Sequence, residues 1–263
     1  MEFELQTLTP IWTGGVQESD NTLHITGIKG SIRWWYEVLI RGLGYYACDP
    51  RTEFGCKLDT KKLNRDLSFM SQVEKTICPA CYLFGCTGWS GKFIMRITEQ
   101  TTGRQIESLS LSGIPFKLHF IEKKAFGKAE RHLLMMTLKL IIKYGSMGGK
   151  TKLKPSEKDH KNIAEYGGGR HLDYGIIDTL RDKSGNDISE ITSTTIYTGE
   201  GKNEVRVYLN AFDKSATTNE FDWPDLRNFW FVIDGYVKRN EHNKIVNRDN
   251  NTGEYINTPS EVA

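Results

Sequence analysis

The 263-residue chain has no apolar run approaching the roughly 20 residues that a membrane-spanning helix needs. Its opening, Met1-Glu2-Phe3-Glu4-Leu5, lacks the basic segment and apolar stretch of a secretory signal. Only five cysteines are present, and without a secretion signal they point to reduced thiols over a disulfide framework. These absences predict a soluble, cytoplasmic protein with no membrane partner. An excess of one charge is missing too: the formal net charge is +2, so overall charge does not mark a nucleic-acid binder. Catalytic signatures are also scarce. His24, His119, His132, His160, His171 and His242 are scattered with no nucleophile at motif spacing, and no carboxylate cluster suggests a catalytic metal ion.

What is present is local. Between Lys117 and Lys154 stand ten Lys or Arg residues against two acids, Glu122 and Glu130, enough for a basic surface on a nearly neutral chain. The alternative is a solvated helix face.

Periodicity outlines an α+β chain. Glu2–Leu8 alternates with a period of two and reads as a half-buried strand, as do Gly91–Thr98 and Ile114–Ile121. Ser31–Leu43 reads as a helix, with Ile32, Trp35, Tyr36, Leu39 and Leu43 on one apolar stripe. Arg33, Glu37 and Arg41 fall four apart on its other side, which predicts cations facing outward. Lys128–Lys143 is a second helix with a stop at Gly145. Val205–Leu209 alternates and is the expected returning strand. Strand, helix, strand, strand, helix, strand is the split β-α-β plan of a ferredoxin-like (RRM-like) fold. Residues 1–154 are expected to form this unit, with a cysteine-bearing insertion at about 45–89. Residues 155–263 are expected to hold a C-terminal, partly ferredoxin-like region with a mobile, Asn-rich tail.

Three loops carry candidate chemistry. In Gly27-Ile28-Lys29-Gly30-Ser31-Ile32-Arg33, Gly30 permits close backbone approach and Ser31 can cap a helix whose open amides suit phosphate, flanked by Lys29 and Arg33. An ordinary capped helix is the alternative. Arg41 extends the cationic row. After the second helix, Tyr144-Gly145-Ser146-Met147-Gly148-Gly149-Lys150-Thr151-Lys152 mixes glycine with cations, and Lys143 and Lys154 add charge. One residue too few separates Gly145 from Gly149-Lys150-Thr151 for a nucleotide-hydrolysing P-loop, and the loop follows a helix rather than a strand. Gly167-Gly168-Gly169-Arg170-His171 is a weaker glycine, cation and ring combination. Cys78-Pro79-Ala80-Cys81 has metal-knuckle spacing, and with Cys48 and Cys56 it could form a closed structural zinc site. A second Cys-x-x-Cys is missing, Cys86 is another available thiol, and plain buried thiols remain the alternative.

Leu8-Thr9-Pro10-Ile11-Trp12-Thr13-Gly14-Gly15 followed by Ile28-Lys29-Gly30-Ser31-Ile32-Arg33-Trp34-Trp35-Tyr36 resembles the RAMP superfamily of CRISPR proteins. Together with Cys81-Tyr82-Leu83-Phe84-Gly85 and Gly88-Trp89-Ser90-Gly91-Lys92-Phe93, it is similar to the family of first subunits of Cmr (type III-B) effector complexes. The glycine loop departs from the family pattern: Lys150 stands where Arg is usual, and Lys152-Leu153-Lys154-Pro155 replaces Arg-Gly-Phe-Gly. The resemblance implies two tandem ferredoxin-like units in an antiviral ribonucleoprotein. It also implies a subunit that neither cleaves RNA nor makes cyclic nucleotides, with guide RNA, target RNA and other RAMP subunits as partners. The expected RNA contacts are Lys29, Gly30, Ser31, Arg33, Arg41, Lys143, Gly148, Gly149, Lys150, Lys152, Lys154, Arg170 and His171. The competing expectation is a metal-independent guide-processing endoribonuclease using His24, and a third is an adaptor without RNA contact.

Overall fold

Phe3, Leu5 and Thr7 of β1 (Glu2–Thr7) are buried while the residues between them are half-exposed, the pattern expected of a strand with one face on a core. The computed structural model describes residues 1–14, 22–50, 53, 55–107, 114–149, 175–189, 202–212, 237–239 and 245–247. In chain order its elements are β1, α1 (Ile25–Gly42), a 3-10 turn (Thr60–Lys62), α2 (Phe69–Thr76), α3 (Pro79–Phe84), β2 (Gly85–Cys86), β3 (Trp89–Ser90), β4 (Phe93–Glu99), β5 (Pro115–Glu122), α4 (Lys128–Tyr144), β6 (Ile177–Asp182), α5 (Lys202–Asn210), β7 (Val237–Arg239) and β8 (Ile245–Asn247).

The main sheet runs β4-β5-β1-β6, with every neighbouring pair antiparallel. The path β1-α1-β4 skips over β5, and β5-α4-β6 skips over β1. Two interleaved split β-α-β units of this kind make the ferredoxin-like plan. Both α1 and α4 pack over the apolar face, which carries Phe3, Leu5, Phe93, Met95, Ile97, Phe116, Leu118, Phe120, Ile177 and Leu180. The opposite face is charged: Lys117 Nζ lies 3.2 Å from Glu2 and 3.5 Å from Glu4.

Two elements differ from the sequence expectation. Val205–Leu209 is not a strand but part of the helix α5. Val205, Tyr208, Leu209 and Phe212 recur at helical spacing, whereas Val207, which alternation would place with Val205, is 70% exposed. The fourth strand is instead β6. A register shift between Gln6 and Thr7 spaces its buried residues, Ile177 and Leu180, three apart, so no period of two is visible. The sheet thus takes its last strand from beyond residue 154. Most of 155–263, where the second unit is expected, lies outside the described residues; of the described part, β7 and β8 form an antiparallel pair.

The 45–89 segment adds a third layer. All six residues of α3 are buried, and α3 packs against α1 and the start of β4, where the Lys92 N–H donates to Leu83 O at 2.9 Å. Rings link the layers edge to face, Tyr36 with Phe84 at 5.4 Å and Phe84 with Phe93 at 5.3 Å, and Phe93 meets Phe120 within the sheet at 5.2 Å. Among the described residues, no helix is long and apolar enough to cross a membrane.

One buried ion pair fastens the start of β4 to the first turn of α4. Lys92 Nζ donates to both Glu130 oxygens at 2.8 and 2.6 Å, and Glu130 Oε2 also accepts the Gly127 N–H at 2.7 Å. Removing one partner strands a charge in the interior. Glu130→Leu is expected to lose about 3–5 kcal/mol in urea unfolding, and Lys92→Met with Glu130→Leu to regain most of it.

Candidate nucleic-acid interface and metal centre

The first helix begins at Ile25, six residues before its expected start, with His24 in an extended conformation (φ −88, ψ 105) as its N-cap. Lys29, Gly30 and Ser31 therefore lie within the helix, not in a loop before it. Their amides are not the open donors of a helix start, and Ser31 is not a cap. His24 instead joins the entry loop: its N–H donates to Thr13 Oγ1 at 2.9 Å, and its carbonyl accepts from Gly27 and Ile28.

Ser31 has a different role. Its Oγ accepts the Gly148 N–H at 3.0 Å and brings the glycine loop onto the helix. The loop is held at further points: Trp35 Nε1 donates to Ser146 O at 3.2 Å, Gly149 N–H to Trp12 O at 2.8 Å, and Met147 N–H to Gly175 O at 2.8 Å. Gly148 has φ +100, and a Cβ there would stand 2.5 Å from the Trp12 carbonyl oxygen. At Gly145, a Cβ would overlap the Trp35 ring. Gly148 is thus required by its backbone conformation and by close approach, and Gly145 by close approach alone. The structure brings Ser31 together with Gly148, leaves Gly30 exposed beside it, turns Lys29 to the Phe93 ring, and places Lys143, exposed, in the last turn of α4. Lys150, Lys152, Lys154, Arg170 and His171 lie outside the described residues. Trp34 is half-buried and meets Trp35 edge-on at 5.1 Å.

Arg33 and Arg41 do not face outward as their spacing suggested. The third layer covers that side of α1, and both guanidiniums turn into it. Arg33 Nε donates to Glu37 Oε1 at 2.7 Å, Nη1 to Gly85 O at 2.6 Å and Nη2 to Cys81 Sγ at 3.1 Å. Arg41 donates to Ala47 O at 2.9 Å and Cys48 O at 3.1 Å, and its Nη2 lies 3.7 Å from Glu37 Oε2. Burial pushes the Glu37 carboxyl up to about 7, against the pull of Arg33 and Arg41. Burial alone would lower Arg33, but Cys81 and Glu37 raise it above the ordinary guanidinium range. Sequence reading missed Glu37 as a buried counter-ion, because helical spacing does not show that both sides of α1 are covered.

The same layer gathers four thiols. The sulfurs of Cys48, Cys56, Cys78 and Cys81 all lie within 4.8 Å of one another. Cys48 is 3.4 Å from Cys81 and 3.7 Å from Cys78, and none of the four is in a disulfide. Sulfurs on a tetrahedral zinc ion stand about 3.8 Å apart, so the donor set fits such an ion in number, softness and spacing. Outer donors orient the sulfurs as well: the Cys78 N–H reaches Cys56 Sγ at 3.3 Å, the Cys81 N–H reaches Cys78 Sγ at 3.4 Å, and Arg33 meets Cys81. Hydrogen bonds from Cys56, Cys78 and Cys81 hold the Cys48 thiol far below its usual range, and the same contacts push Cys56 and Cys81 up.

The profile of the RAMP superfamily matches residues 4–153, more than half of the chain. No curated protein matches the chain. Among solved structures, apo Cmr1 from Pyrococcus furiosus is similar at 17% identity with a TM-score of 0.32, over 56% of this chain. The chain spans 44% of that structure's length. The family match begins in β1 and ends just past the glycine loop, so it contains α1, the cysteine layer and the Ser31–Gly148 contact. The chain belongs to the RAMP superfamily.

Proposed function

We propose that the chain is a non-catalytic, RNA-binding subunit of a type III-B CRISPR ribonucleoprotein, holding guide or target RNA near the guide's 3′ end. Superfamily membership and the motifs of α1 support this reading. The observation that carries it is Gly30. This glycine sits exposed inside a helix with nothing within 4 Å of where a Cβ would stand. Glycine in a helix interior costs about 1 kcal/mol relative to alanine, and no packing contact here requires it. A bare backbone beside Lys29, with the glycine loop docked on the next residue, leaves room for a ribose-phosphate chain at close range. Lys29 supplies charge there, and Lys143, Lys150, Lys152 and Lys154 would add sequence-tolerant attraction from the loop side. Arg33 and Arg41, committed to Glu37 and to carbonyls of the cysteine layer, would act by fixing the helix.

Binding of guide-length single-stranded RNA by the full chain, across a salt series without added magnesium, tests the proposal. Salt-sensitive binding with full-length RNA recovered is expected. Gly30→Ala should raise stability by about 0.5–1 kcal/mol while weakening binding. Discrete cleavage that disappears in His24→Ala would overturn the non-catalytic assignment. Equal affinity in Gly30→Ala would remove that face of the helix from the site.

We further propose that Cys48, Cys56, Cys78 and Cys81 hold a structural zinc ion, which when bound would add folding energy to the third layer. Purified chain should carry one zinc per molecule, Cys81→Ser should lose it, and chelation should lower Tm. A metal-free chain with Tm unchanged by zinc would contradict the assignment.

A further inference from the structure

The structure divides the cations around the 117–131 stretch into two groups. Lys117 pairs with Glu2 and Glu4, Lys128 with Glu204, Arg131 with Glu122, and Lys92 with Glu130. Lys29, Lys123 and Lys124 meet no carboxylate among the described residues. Even so, these three are held near one another. The N–H groups of Lys123 and Lys124 both donate to Lys92 O, at 2.7 and 3.1 Å, folding the chain back as it leaves β5. Lys123 Nζ then reaches Ser90 Oγ at 2.5 Å, Lys124 Nζ stands 3.4 Å over the Trp89 ring, and Lys29 Nζ lies 4.7 Å from the Phe93 ring centre. Burial and the charge of Lys123 lower both Lys29 and Lys124 below the ordinary lysine range. Like charges gathered without a counter-ion repel, and an anionic ligand removes that cost.

Aromatic side chains adjoin the cations. Trp89 stacks on Tyr82 at 5.6 Å and donates its ring N–H to Tyr82 O at 2.9 Å, so its position is fixed. Beside it, 6.3 Å between ring centres, Phe69 opens α2 with 48% of its surface exposed. A buried aromatic under a lysine with an exposed ring next to it suits a base and its phosphate better than a featureless polyanion.

We propose that Lys29, Lys123, Lys124 and Ser90, with the Phe69 ring, form a contact for single-stranded RNA that grips phosphates on the ammonium groups and stacks a base on Phe69. The contact continues the path from the glycine loop past Gly30 and rests on the RNA-binding reading above. It assigns roles to Ser90, Lys123, Lys124 and Phe69.

The test measures binding of the full chain to a single-stranded RNA and to an RNA duplex against salt concentration. Lys123→Ala with Lys124→Ala should make the slope of log K against log salt shallower by about 1.4, two contacts at roughly 0.7 each. Lys117→Ala, on the opposite sheet face, should leave the slope unchanged. Phe69→Ala should weaken single-strand binding about tenfold without altering the slope or the duplex affinity. If the wild-type chain binds in a salt-sensitive way and the double variant keeps its slope, the patch serves another partner, such as an acidic protein surface. That outcome overturns the contact and leaves the glycine-loop site standing. Absence of salt-sensitive binding by the wild-type chain overturns both.

Discussion

Glu37 is a buried carboxylate between two guanidiniums, and the placement of α1 depends on it. Through Arg33 and Arg41 it ties the helix to the Gly85, Ala47 and Cys48 carbonyls and to the Cys81 sulfur of the outer layer. Ile32, Trp35, Tyr36 and Leu39 bury the rest of α1 in the core, with Trp35 on the glycine loop and Tyr36 on Phe84 of α3. A helix fixed on two sides has little freedom to rotate, and the residues left outside are set by that constraint. Gly30 is among them.

This arrangement explains how a loop rich in glycine can be structured. The Ser31 hydroxyl, the Trp35 indole and the Trp12 carbonyl each hold a different part of residues 145–149, and two of those partners stand on α1. The same rigidity reaches the cysteine layer, where backbone N–H groups and Arg33 point at sulfurs. Structural and candidate binding chemistry therefore share one helix: Arg33 and Arg41 face inward, Gly30 is exposed, and Lys29 is half-buried with its Nζ over Phe93. The lysines that follow β5 sit near Lys29, linked to β4 through a single carbonyl, Lys92 O.

Much of the sheet is legible in the sequence, because β1, β4 and β5 are each packed on one face and keep a clean period of two. The helix α4 shows its stripe for the same reason. Where a local rule met a tertiary demand, the sequence was silent or misleading. Gly30 reads as a loop residue, since propensity disfavours glycine in a helix without a functional reason. The inward turn of Arg33 and Arg41 depends on a layer built from short helices in 45–89, too short to display a period. The five residues from Val205 to Leu209 fit alternation as well as a helix, and only Phe212, outside that window, completes the helical stripe. At the site, the Cys78–Cys81 spacing pointed to a knuckle, whereas the nearness of Cys48 and Cys56 is a property of the fold. The contact between Ser31 and Gly148, 117 positions apart, has no sequence signature.

RNA running along the exposed part of α1, next to the glycine loop, would cover the lysines there. The most direct measurement is the reactivity of each lysine of the full chain toward an acetylating reagent, with and without guide-length single-stranded RNA. RNA is expected to shield Lys29, Lys123, Lys124 and Lys143 while Lys117, on the opposite sheet face, reacts at its original rate. Shielding of Lys117 with Lys29 and Lys123 unchanged would contradict that path.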